Sequence, residues 1–191
     1  GRTQDLYTDE TVTFSDGDRL QASRREHVLF IYGNPERVGE VAERNMLLYY
    51  VGSVDNVPVV GRALAIVHET ADQTRDKRRI WVSAGNIGRV RRIPPVGYDF
   101  PRPGSEGLSF VDQIDMYNGG FNRYVWKLRG RREMLVPYNS YDINDAALDY
   151  DQLLGPGHLD QSKARYEWHR VWVVEATERA PARHKIGKRV F

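Results

Sequence analysis

Cysteine is absent from this chain of 191 residues, which excludes a disulfide framework, a thiolate metal site and a cysteine nucleophile. No apolar run approaches the roughly 18 to 20 residues of a membrane-spanning helix, and no charged-then-apolar leader reads at the start. A surplus of one charge sign is also missing. The 28 Lys and Arg nearly cancel the 26 Asp and Glu, and a net charge of +2 gives little long-range attraction for nucleic acid or an anionic membrane. Catalytic signatures are lacking too: there is no Gly-x-Ser-x-Gly elbow, no His-Glu-x-x-His and no phosphate loop. The chain is expected to be a non-enzymatic protein without a cofactor.

What the chain does have is a strand-like run of unusual length, Arg165 to Thr177, R-Y-E-W-H-R-V-W-V-V-E-A-T. At about 3.3 Å per residue it spans roughly 40 Å, against about 17 to 20 Å for a typical strand. Strands of that length belong to barrels and strongly curled sheets. Tyr166, Trp168, Arg170, Trp172, Val174 and Ala176 share one face by the two-residue period of a strand, so that face is aromatic with one arginine set into it.

Turn signals divide the rest. Residues 1 to 18 are polar and read as turns, and Val28 to Tyr32 reads as a buried strand stopped by Gly33-Asn34-Pro35. Met46 to Val51 and Val57 to Val67 flank Asp55-Asn56 as a hairpin, with Pro58 at a strand start or edge. Ile80 to Val82 and Val90 to Ile93 form another hairpin around Ala84-Gly85-Asn86. Pro94 to Gly107 carries four prolines and three glycines, which predicts an ordered crossing loop or a flap. Ser109 with Asp112, and Phe110, Ile114 and Tyr117 on one face, predict a short helix. Tyr124 to Leu128 and Met134 to Val136 predict a third hairpin turning at Arg129-Gly130-Arg131. A second short helix is expected within Ala146 to Leu154, and a last strand from near Arg183. The sum is mainly β: about eight strands in an antiparallel curled sheet or incomplete β-barrel with short inserted helices, in a single domain over residues 1–191. A plain β-sandwich is the alternative architecture. Because the last strand runs to Phe191, the sequence also predicts a piece of a longer protein that continues with more strands.

The motifs W-V-S-A-G-N-I-G-R-V-R-R-I-P-P-V-G-Y-D, V-D-Q-I-D-M-Y-N-G-G-F-N-R-Y-V-W-K-L, M-L-V-P-Y-N and R-Y-E-W-H-R-V-W-V-V-E-A-T carry a resemblance over about residues 80 to 191. The chain resembles an uncharacterised family of Gram-negative envelope proteins, often labelled outer-membrane lipoprotein-sorting-protein-like. That family is similar to the LolA and LolB lipoprotein carriers, whose fold is an incomplete antiparallel barrel around an apolar cavity. The resemblance implies a periplasmic or outer-membrane-associated protein, a lipid or acyl-chain ligand, and association with an envelope transporter such as an efflux pump. It supplies no catalytic residues. In this chain V-S-A-G-N-I-G stands where the family shows a Tyr-x-Pro-Gly-like stretch before the arginine-rich motif.

Tyr124, Trp126, Tyr166, Trp168 and Trp172 are the candidates for an apolar ligand surface, because wide aromatic rings bury large area and keep a polar handle. Ordinary core packing is the other reading of the same side chains. Arg170, on their face, is expected to pair with Asp112 or Asp115 as a buried clamp between helix and sheet. The basic cluster Lys77, Arg78, Arg79, Arg89, Arg91 and Arg92 around Trp81 reads as a solvated face or a patch for an acidic partner rather than a nucleic-acid site. Glu167 and His169, with His184 on a neighbouring strand, read as a surface pair rather than a zinc site. Asp142, Asn144, Asp145, Asp149 and Asp151 lack the glycine of a calcium loop and read as a solvated acidic loop. A glycosidase-like carboxylate pair among Asp112, Asp115 and Glu167 would be decided by distance. Two function classes lead, a carrier of a hydrophobic ligand and a protein-interaction scaffold docking to an envelope transporter or outer-membrane protein, with a hydrolase third.

Overall fold

The computed structural model describes residues 2–57, 61–85, 88–94, 99–114, 116–155, 157–181 and 183–191. The fold is mainly β, as the hairpin spacing predicts, in antiparallel sheets that do not close into a barrel. The described chain divides into two compact units, Gly1–Val12 with Leu20–Asn122, and Thr13–Arg19 with Arg123–Phe191.

The first unit is built on a six-stranded meander in sequence order: β1 (Thr3–Thr13), β2 (Arg19–Phe30), β3 (Met46–Val57), β4 (Gly61–Thr70), β5 (Arg79–Ala84) and β6 (Arg91–Ile93). The polar opening of the chain is therefore a strand and not a run of turns. Its charges fit an edge position, where they discourage pairing with a foreign strand. The strand does not turn at Asp55-Asn56, where a hairpin is expected: Asp55 pairs with Arg62 and Val57 with Gly61. Asn56, with φ of 63°, sits in an irregularity between Asp55 and Val57 inside β3; Pro58 lies outside the described residues. A short helix unforeseen from sequence, α1 (Gly39–Arg44), links β2 to β3. It ends on Asn45 in the left-handed conformation, whose amide exchanges two hydrogen bonds of 2.7 Å with the backbone of Asp72.

One face of this sheet is core. Ala22, Val28, Val54 and Ile80 are buried there. The proline-rich loop covers part of it: Gly104 lies against Ala22, and the Arg24 guanidinium, paired with Glu10 at 2.8 Å, donates to the Pro103 carbonyl. Gly104 has φ of +81°, and a Cβ placed on it would stand 3.1 Å from the Ala22 Cβ. The described part of the loop is thus an ordered cover. The helix expected from Ser109 is a single 3-10 turn, Val111–Gln113, closed by the Phe110 N–H donating to Gln113 Oε1 at 2.8 Å.

The second unit carries β7 (Tyr124–Pro137), β8 (Tyr166–Glu178) and β9 (Lys188–Val190), in that order, with a short helix α2 (Tyr150–Leu153) capped by Asp149. The long run is one strand, as expected. The predicted turn at Arg129-Gly130-Arg131 is instead a bulge in an unbroken β7: the register shifts between Leu128 and Gly130, and Gly130 takes φ of +91°. A long partner decides this, because β8 pairs with β7 on both sides of the bulge. The extra residue aims Arg129 at Glu175, 2.7 Å away, which also holds Lys188 at 3.2 Å.

Candidate functional site

The five aromatic candidates do not gather around one cavity. Tyr124 is fully buried, with the Arg189 guanidinium 5.4 Å above its ring, and Trp126 is half-buried and stacked on Phe191 at 5.9 Å. These two belong to the core of the second unit. Further along the same face the sheet is open: Trp168 is 73% exposed and Trp172 58%, and Tyr166 is exposed and hydrogen-bonded to Gln161. Leu128 and Leu135, aligned with Val174 and Trp168, extend the apolar surface, and Arg131 lies 5.2 Å from the Trp172 ring centroid.

Arg170, expected as a buried clamp, is exposed. It pairs across the strands with Glu133 at 2.8 Å, the two side chains being 66% and 65% exposed. Asp112 is buried in the first unit, and Asp115 lies outside the described residues. Glu167 accepts from Asn139 at 3.0 Å and meets His169 at 3.1 Å; these bonds hold its carboxyl below the ordinary range. His184 does not join them. Its backbone N–H donates to Glu178, and its ring meets Arg189. Among the described residues no three His, Asp or Glu side chains are placed to hold a metal ion. In the acidic loop Asp145 and Asp149 accept backbone N–H groups, and Asp151 pairs with Arg19.

A second open face, absent from the sequence reading, lies on the six-stranded sheet opposite its covered side. Register places Leu29, Tyr49, His68 and Arg79 in one row across the strands, and His27, Val51, Ile66, Trp81 and Arg92 in the next. A third row holds Arg25, Ser53, Leu64 and Ser83. Val51, Leu64 and Ile66 remain 44%, 43% and 38% exposed. Singly, exposed apolar residues mean little; three together on the two middle strands make this face a candidate binding surface. The rings of Tyr49, His68 and Trp81 continue it, with centroids 4.7 Å apart at each step. Burial, and then the field of Arg79, lower the His68 pKa, which favours the neutral ring. Toward β1 the face forms a shallow groove of about 290 Å³ lined by Leu6, Tyr7, Arg25, His27, Val51 and Leu64.

The groove contains the residue types of a triad. His27 Nδ1 lies 2.6 Å from Asp5 Oδ1, but no hydrogen bond joins His27 to the nearly buried Ser53, so no activated nucleophile is assembled. What the face can do is take apolar surface out of water. The signal was present in β4, where Ala63, Ala65 and Val67 alternate with Leu64 and Ile66, both sets apolar. A strand apolar on both sides needs two covers, and this one has one.

No helix among the described residues is long and apolar enough to cross a membrane. No solved structure matches the chain. It is 41% identical over 147 residues to the uncharacterized protein PA3922 of Pseudomonas aeruginosa, a match covering 77% of this chain and 32% of that protein. The chain therefore spans about a third of the length of this curated relative. Matched over residues 1–191, with this apolar-faced open sheet, the chain belongs to the family described as "Protein of unknown function (DUF1329)".

Proposed function

We propose that this is a non-catalytic periplasmic or outer-membrane-associated protein that holds a lipid or other hydrophobic ligand against an open sheet, in the manner of the LolA and LolB lipoprotein carriers. The observation that carries the reading is the exposed group Val51, Leu64 and Ile66, continuous with the ring row Tyr49, His68 and Trp81 on the uncovered side of the six-stranded sheet. Completing the burial of each aliphatic side chain would add about 1 kcal/mol, at about 25 cal/mol per Å². Several such contributions with few polar contacts give binding of broad specificity.

The test is solvent extraction and mass spectrometry of the protein purified without detergent, beside displacement of a hydrophobic dye. A lipid retained by the protein and lost in Leu64→Glu/Ile66→Glu supports the reading. An empty protein that binds no dye refutes it.

A second reading rests on the other open face. Exposed Trp168 and Trp172 beside Leu128, Leu135 and the arginines Arg131 and Arg170 have the composition of a protein-binding hot spot, rich in tryptophan and arginine. It favours a scaffold docking to an envelope transporter. Loss of transporter capture in Trp168→Ala/Trp172→Ala, with lipid content unchanged, would assign docking to that face.

A further inference from the structure

The open face of the six-stranded sheet is charged unevenly. On its β3 and β4 strands Arg62 is matched by Asp55 at 3.2 Å, and at its margin Arg37 is matched by Glu40 at 2.7 Å. Near β1, His27 meets Asp5, and Arg25 lies beside a strand that carries Asp5 and Asp9 on the same side, as their bonds to His27 and Ser23 show. The β5–β6 end differs. Arg79 and Arg92 are exposed there, and among the described residues no carboxylate lies within ion-pair distance of either. Arg92 reaches over the Trp81 ring, 5.8 Å from its centroid, and Arg79 stands two residues from Trp81 on the same face, opposite His68. The row Val51, Ile66, Trp81, Arg92 crosses three strand spacings of about 4.8 Å, so an apolar floor of roughly 14 Å runs up to two cations that have no acidic partner among the described residues.

We infer that the ligand of this face is an amphiphile with an anionic head, a fatty carboxylate, whose chain lies over Val51, Leu64, Ile66 and Trp81 and whose head is held by Arg79 and Arg92. The inference rests on the proposed binding at this sheet and adds the chemistry of the ligand. Arginine suits the task because its planar donors match a carboxylate in pairs and stay charged at every physiological pH. The aromatic ring beneath Arg92 keeps the guanidinium over the chain's end rather than free in solvent.

The experiment compares dodecanoate with dodecanol, equal in chain length and differing in charge, as competitors of the uncharged dye Nile red on the protein at low and high salt. Dodecanoate is expected to bind on the order of tenfold more tightly at low salt, as for two exposed ion contacts, and to lose that advantage in 1 M salt. Arg79→Gln/Arg92→Gln should abolish the difference while leaving dodecanol unchanged, and Arg132→Gln, an exposed arginine on β7 outside both candidate faces, should leave both unchanged. Equal binding of the two competitors by the unaltered protein overturns the anionic head and leaves the hydrophobic site standing. Failure of both to displace the dye, or no dye binding, removes the site and the inference with it.

Discussion

Replacing Arg78 by Met should destabilise the first unit by about 3 kcal/mol at neutral pH. The Arg78 and Glu69 side chains are 5% and 4% exposed and stand 3.4 Å apart. Arg78 also donates to Asn118 at its carbonyl and side-chain oxygens, 3.1 and 3.2 Å away, while Gln73 and Asn118 donate to Glu69 at 3.1 and 3.4 Å. Methionine keeps most of the arginine stem's volume, so the cavity term is small. What remains is a buried carboxylate stripped of its cation, a loss of about 3 to 5 kcal/mol that the two amide donors reduce toward the lower figure. Burial raises the Glu69 pKa above 4.5 and the charge of Arg78 opposes the rise; without Arg78 it climbs further. A carboxyl whose folded pKa exceeds its unfolded value contributes most below the unfolded pKa and loses that contribution as pH rises through the folded one. The Arg78→Met deficit should therefore be largest near pH 7 and shrink toward pH 4.5. Urea denaturation followed by amide exchange in β4, at several pH values, measures it. A deficit below about 1 kcal/mol at pH 7, or one indifferent to pH, would refute the reasoning.

Arg170→Ala should change stability by less than about 1 kcal/mol, because its pair with Glu133 is solvent-exposed; urea titration of the second unit reads this directly. Gly104→Ala should cost on the order of 1 to 3 kcal/mol, combining a left-handed backbone with a Cβ held 3.1 Å from Ala22; an unchanged melting temperature would contradict the close packing of the loop on β2. Arg129 and Lys188 hold the Glu175 pKa below 4.5, so its contribution to pairing β7, β8 and β9 is present above that value and is lost as pH falls through the folded pKa. Protection of the β9 amides, taken relative to their intrinsic exchange rate at each pH, should fall on acidification in the unaltered protein, and that fall should be absent in Glu175→Gln.

Much of the strand content was legible because its signal is local. Alternation and length marked β8 from Arg165 onward, and Gly85 marked the β5–β6 hairpin. The misreadings share one cause: the partner strand decides. Thr3–Thr13 lacks an apolar face, yet it pairs with β2 along an edge. Arg129-Gly130-Arg131 has the composition of a turn, and β8 keeps it extended with a bulge. The candidate site was less legible. The aromatic stripe of β8 was correctly placed on one face, but that face passes from buried Tyr124 and Ala176 to open Trp168 within a single sheet.

By itself the sequence determined a mainly β chain without thiol chemistry or a long apolar helix, joined by hairpins, with tryptophans and arginines concentrated on strands. Side-chain period and turn chemistry are properties of adjacent residues, so they can be read along the chain. Which face becomes core was a tertiary decision. Both faces of β4 are apolar; the loop bearing Gly104 and Phe110 packs in the first unit with the buried side of the sheet, leaving Val51, Leu64 and Ile66 on the other. A residue's burial depends on what another segment, distant in sequence, lays over it, and that choice exists only once the chain has folded.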